Sequence, residues 1–183
     1  FAMASRLSYF LWASMPDPEL IRLATEKRLD DPVVIQQQVL RMLKDDRAFQ
    51  FIESFTTQWL SLEKMKTVPI NRDLFPRFLY YVPAGERAGT EMPYLPTVRD
   101  YMLEETLSFV GELIRRNASV LQVIDSDFVM LNERLATHYG VEGVEGIDLR
   151  PVPIAADHHL GGLLTQGSVL IGNGTGTAPH PIY

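Results

Sequence analysis

At 183 residues the chain is long enough for one sizeable core, or for a domain with an appendage. Its composition, 46% hydrophobic and 22% charged, is that of a folded domain and excludes a disordered chain. A net charge of −6, with Lys and Arg scattered rather than striped, offers no phosphate-neutralising surface and disfavours nucleic acid as a partner.

The chain has no cysteine, which removes disulfides, thiolate zinc sites, cysteine nucleophiles and iron–sulfur ligation. Attachment of haem through C-x-x-C-H goes with them, so no cofactor is expected to be bound covalently. No apolar run approaches the roughly eighteen residues of a membrane span.

The chain opens directly on a helical pattern, with Leu7, Phe10 and Leu11 at helical spacing before a break at Met15-Pro16-Asp17. It has no initiator Met and no polar lead-in, which is the expectation for a piece of a longer protein. Asp17-Pro18-Glu19 is a helix start: an N-cap acid, a proline at the first helical position and an acid in the first turn. Asp31-Pro32 repeats the device and opens Val33 to Lys44, with Val34, Leu40 and Leu43 inward. Arg47 to Leu62 follows, where Phe49, Ile52, Phe55, Trp59 and Leu62 fall three and four apart and read as an aromatic stripe facing a core.

From Glu63 to Pro96 the period fails among five prolines and two glycines, a long irregular excursion of the kind that often carries function. Thr97 then caps the longest predicted helix, Val98 to Arg116, with Arg115-Arg116 complementing its dipole. Ser119 caps a short turn to Ile124, Asp125-Ser126-Asp127 is a turn, and Leu131 to Tyr139 reads as a helix stopped by Gly140. Beyond it Arg150 to Ile154 has the look of a short strand, Gly161 to Ile171 fits either helix or strand, and Gly172 to Tyr183 is a Gly/Thr/Pro loop. The expected fold is mainly α, a bundle of about six or seven helices with an irregular, β-containing C-terminal region. Residues 1–142 form the helical domain, and 143–183 begin a second, truncated one.

Three blocks carry a resemblance. Ala4-Ser5-Arg6-Leu7-Ser8-Tyr9-Phe10-Leu11-Trp12 with Met15-Pro16-Asp17 resembles the opening of the bacterial family known as domain of unknown function 1592. Asp127-Phe128, Leu131-Asn132-Glu133-Arg134-Leu135-Ala136 and His138-Tyr139-Gly140 are similar to its closing block. Gly161-Gly162-Leu163-Leu164-Thr165-Gln166-Gly167-Ser168-Val169-Leu170 resembles the start of its usual neighbour, domain of unknown function 1588. The resemblance implies a large exported protein of planctomycetes and related bacteria, periplasmic or extracellular. It also implies a c-type haem elsewhere in the parent chain, with flanking and cytochrome domains as partners. It implies no catalytic residues, and the sequence departs from the pattern at His158-His159-Leu160, where an Arg is expected before Gly161.

Several constellations are candidates for chemistry. Asp125, Asp127, Asn132 and Glu133 supply hard oxygen donors for Ca²⁺, or they form an acidic turn capping the next helix. His158 and His159, with Asp157 and with His138 or His180, are candidates for a metal or a haem edge, although adjacent side chains diverge. On the long helix Glu105, Phe109 and Glu112 share a face; without a Glu-x-x-His they read as a partly solvated face, with one buried acid bonded to Arg or Tyr. Ser168 lacks the G-x-S-x-G spacing of a nucleophile elbow. The loop holding Asn173 and Thr175 is not a P-loop, and its role is close approach of a ligand or partner.

The ligand or interface candidates are therefore His138, His158, His159, Gln166, Ser168, Asn173 and Thr175, with Asp125 and Asp127 for Ca²⁺ and no catalytic residue. Two functions follow. One is a non-catalytic structural or docking module of an exported cytochrome-associated protein, supporting electron transfer or binding a partner or polymer. The other is part of an exported redox or hydrolytic enzyme completed by flanking domains.

Overall fold

A computed structural model describes residues 1–71, 73–75, 96–154, 159–172 and 174. The architecture is mainly helical, with eight α-helices among the described residues and one small antiparallel sheet near the C-terminus. Helices α1 (Ala2–Trp12), α2 (Pro18–Thr25), α3 (Pro32–Leu43) and α4 (Phe49–Trp59) make the first half. The short α5 (Glu63–Thr67) opens the excursion, most of which lies outside the described residues.

The acid–proline starts act as their chemistry requires. Asp17 accepts from the Leu20 amide at 2.9 Å, Asp31 from the Val33 amide at 2.8 Å, and each is followed by Pro at the first helical position. Asp17 also takes the Arg41 guanidinium at 2.8 Å. Burial would raise its pKa, but the bonds from Arg41 and the Leu20 amide outweigh that and hold it below the usual range. Trp12, 2% exposed, donates from Nε1 to the Met42 carbonyl at 3.0 Å, and the Arg47 guanidinium sits 3.5 Å from its ring centroid. Trp12 thereby ties α1 to the end of α3; burying such a ring contributes about 2–3 kcal/mol.

The aromatic stripe on α4 does not face the core as expected. Phe49, Phe55 and Trp59 are 49%, 44% and 50% exposed, and of the five stripe residues Ile52 and Leu62 are buried. Helix α4 instead turns Ile52 and Thr56 inward, in line with its buried N-cap Ala48, toward α1 and α6. The missing side chain at Gly111 sets the rotation: a Cβ there would lie 3.4 Å from Ile52 Cδ1, so Ile52 of α4 packs into the space that glycine leaves on α6.

Helix α6 (Val98–Arg115) is the central element, contacting α4, α7, α8 and the sheet. It begins with a capping box in which Asp100 accepts from the Thr97 amide at 2.7 Å and Thr97 Oγ1 accepts from the Asp100 amide at 3.3 Å. Thr97→Ala is expected to lower stability by about 1 kcal/mol, read as a shift of the urea midpoint with an unchanged m-value.

The sheet pairs β1 (Phe128–Leu131) with β2 (Arg150–Pro153), Phe128 opposite Pro153 and Leu131 opposite Arg150. The expected strand at 150–154 is β2, an edge strand, the position that tolerates its two prolines. Its partner β1 was not expected, and Leu131 belongs to it rather than to the following helix. That helix, α7 (Glu133–Tyr139), starts at Asn132, which accepts from the Leu135 amide at 3.0 Å, and stops at the left-handed Gly140. Residues 163–165 form a 3-10 turn leading into α8 (Gly167–Gly172), so 161–171 is helical rather than extended. Val144, Leu149, Val152, Leu160 and Ile171 complete one apolar cluster with Met65, Val98, Leu131 and Leu135.

Candidate functional site

The densest buried polar cluster among the described residues lies where α6, α7 and α8 meet. Glu105 and Thr106 are consecutive on α6, so their side chains point about 100° apart. Glu105 faces α7, where its Oε2 accepts from the Tyr139 hydroxyl at 2.7 Å. The same phenol oxygen accepts from the Gly167 amide at 3.2 Å, satisfying one of the free N–H groups that open α8. Tyr139 is thus a cross-chain cap, placed by the end of α7.

Thr106 faces the other side. Its Oγ1 lies 2.6 Å from Gln166 Oε1 and is bonded to Ser168 Oγ, with the Met102 carbonyl 3.2 Å away. One hydroxyl proton serves one acceptor at a time, so Gln166 and Met102 compete for it. Gln166 Nε2 is buried and has no partner among the described residues. The backbone fits as closely as the side chains: a Cβ on Gly167 would stand 2.5 Å from Met102 Sδ.

Burial favours the neutral forms of the cluster's acid and phenol. Glu105 is 1% exposed, and burial pushes its pKa up to about 8 against a smaller lowering by Tyr139. The Tyr139 phenol is raised well above its ordinary value by burial and by the neighbouring carboxyl. A protonated acid bonded to a neutral phenol needs no counter-ion, and the pair acts as a clasp between α6, α7 and α8.

Of the sequence-derived candidates, Gln166 and Ser168 enter this cluster, each 1% exposed and turned inward. His138, one residue before Tyr139, is at the surface, although partial withdrawal from water lowers its pKa. His159 is exposed with a left-handed backbone, φ 51°. His158, Asn173 and Thr175 lie outside the described residues.

Asp125 and Asp127 are exposed at the turn before β1, where the intervening Ser126 hydroxyl bonds the Phe128 backbone. Asn132 caps α7, and Glu133 Oε2 accepts from the Gly146 amide at 3.1 Å. Among the described residues no group of three or more His, Asp or Glu could hold a metal ion.

The shared face of Glu105, Phe109 and Glu112 is more buried than the sequence suggested. Phe109 is fully enclosed, and Glu112 accepts from Arg116 Nε at 2.7 Å while also pairing with Arg115. The expectation of one buried acid bonded to a Tyr is met by Glu105. Thr106 and Tyr139 were missed as site residues. The available signal was an acid at i+4 from Tyr101 and i−4 from Phe109, inside an apolar stripe.

A concavity of about 290 Å³ lies between the start of α4 and α6. Phe49, Ile52 and Leu107 form apolar walls, while Lys44, Asp46 and Arg115 stand among its polar lining residues. No described helix is long and apolar enough to cross a membrane.

No curated protein and no solved structure matches the chain. The model of the PSD4 family, described as a protein of unknown function (DUF1592), matches residues 1–141, the segment from the first helix through α7 and its glycine stop. Helices α1 to α7, with their caps and the closing block, fall within that match, and the chain belongs to the DUF1592 family.

Proposed function

We propose that the chain is a non-catalytic structural or docking module of a large exported bacterial protein associated with cytochrome domains. It supports electron transfer or the binding of a partner or polymer, and works in the periplasm or outside the cell. The observation that carries this reading is the inward orientation of Gln166 and Ser168. Both were ligand or interface candidates of the C-terminal block, and Gln166 Oε1 and Ser168 Oγ instead meet Thr106 Oγ1, clasping that block to α6. In this reading residues 143–183 begin the next domain of the parent chain, and the clasp sets its position on the helical domain. Any c-type haem belongs to flanking domains, because attachment needs the cysteines this chain lacks.

A competing reading, an exported redox or hydrolytic enzyme completed by flanking domains, is favoured by the cleft between α4 and α6. Ser168→Ala in the clasp and Lys44→Ala in the cleft, made in the parent protein, separate the two. The module reading expects Ser168→Ala to lower the melting temperature, by several degrees for a loss of about 1 kcal/mol, with haem absorbance and turnover of a redox dye unchanged in both variants. Loss of turnover at unchanged stability in Lys44→Ala would favour the enzyme.

A further inference from the structure

The cleft between α4 and α6 carries charges that the fold does not pair. Leu43, Phe49, Ile52 and Leu107 supply its apolar walls. At about 290 Å³ it lies at the lower end of ligand pockets, which run from about 300 to 1,000 Å³, so its occupant is a small molecule.

Four charged side chains line it, and two of them are committed elsewhere. Asp45 accepts from Arg47 Nε and Nη2, each at 2.8 Å, and Arg115 pairs with Glu112. The other two, Lys44 and Asp46, are exposed, and their side chains bond no partner among the described residues. Helix ends put them there. Lys44 is the C-cap of α3, where a cation suits the dipole, and Asp46 opens the 3-10 turn Asp46–Ala48 that leads into α4. Two residues apart and opposite in charge, they make no ion pair with each other. Ser108 Oγ, on the α6 wall, is a third polar group with no bond among the described residues.

We infer that this cleft binds a free α-amino acid with an apolar side chain. The ligand's carboxylate meets the Lys44 ammonium and the Ser108 hydroxyl, and its ammonium meets the Asp46 carboxylate. Its side chain displaces water from Ile52 and Leu107. A simple carboxylate or a simple amine answers one of the two charges and leaves the other without a counter-ion. An acidic or basic amino acid sets a third charge against the apolar walls, which costs desolvation. The inference stands apart from the module reading, which rests on the buried clasp, and it requires no turnover.

Each charge has its own ligand analogue and its own variant, and both sites are exposed, so the substitutions leave the fold intact. In amide NMR spectra of the chain, L-leucine at millimolar concentration is expected to shift Ser108 and Gly111 saturably and to leave Gly140, outside the cleft, unmoved. Isocaproate, which lacks the ammonium, and isoamylamine, which lacks the carboxylate, bind about fivefold more weakly, the upper value for an ion pair at a solvent-open site. Lys44→Ala weakens leucine binding about fivefold and does not alter that of isoamylamine. Asp46→Ala weakens leucine binding to the same degree and does not alter that of isocaproate.

Absence of a saturable shift with both L-leucine and L-phenylalanine overturns the inference. Leucine binding that survives both variants overturns it too. Isocaproate binding as tightly as leucine, with Lys44 alone required, overturns it in favour of a site for simple carboxylates. Ser168→Ala, which probes the clasp, is expected to leave leucine binding unchanged, so the module reading and this one fail separately.

Discussion

Gly162→Ala is expected to destabilise the fold by more than about 3 kcal/mol, the largest effect of a methyl group added at any of the described glycines. Gly162 holds φ 76° and ψ 171°, a region of backbone space open essentially to glycine alone. A Cβ there would sit 2.2 Å from the Ile124 carbonyl oxygen and 2.8 Å from that of Val123. Both obstacles are backbone atoms, so no rotamer change relieves the clash, and either the 161–166 segment or the turn at 120–124 must move.

Gly140 is the matched control. It too has positive φ, 74°, but nothing lies within 4 Å of its would-be Cβ. Alanine at 140 is expected to cost about 1 kcal/mol, the left-handed backbone penalty alone. Urea unfolding of the two variants separates strain from collision; equal losses would mean that 162 and 124 do not approach as closely as described.

The second large effect is a dependence of stability on pH set by Glu105. Its folded-state pKa of about 8 lies above the ordinary carboxyl value of 4.5, so between the two the folded chain retains a proton that the unfolded chain releases. Stability from this group is therefore fully present below about pH 4.5 and is lost as pH rises through 8, at a slope of at most about 1.4 kcal/mol per pH unit. The accumulated loss is on the order of a few kcal/mol.

Glu105→Gln keeps an acceptor for the Tyr139 hydroxyl and removes the ionisation. The variant is expected to match the wild type near pH 5 and to exceed its stability at pH 8. Glu104, also raised by burial, adds slope of the same sign, and His138, lowered by burial, adds the opposite. Both remain in the variant, so the difference between the two pH profiles isolates Glu105. Superimposable profiles would mean that Glu105 ionises normally and that the clasp is open to water.

Much of the fold is legible because it is local. Asp17-Pro18, Asp31-Pro32 and Thr97 announce helix starts through hydrogen bonds spanning two or three residues, and each cap forms as its spacing requires. The membership in DUF1592 is likewise carried by short blocks, and the family match covers the first and closing ones. Strand β1 was illegible for a physical reason: Phe128-Val129-Met130-Leu131 is buried on both faces, so it carries no alternation that would separate it from helix.

The aromatic residues of α4 mark the sharper boundary. Spacing alone shows that Phe49, Ile52, Phe55, Trp59 and Leu62 share a stripe; it does not show which way the stripe points. Hydrophobicity predicts inward, but Gly111 and Ile52 let α4 and α6 approach along a narrower face, and the aromatics are left outside.

The candidate site follows the same division. Sequence by itself determined the helical composition, the helix starts, the lack of any thiol chemistry and the family. Tertiary structure alone decided that Glu105 meets Tyr139 from 34 residues away and that Thr106 meets Ser168 across 62. Neither pair has a local signature, because a hydrogen bond between distant segments depends on which faces the helices bury, and those are settled by packing rather than by propensity.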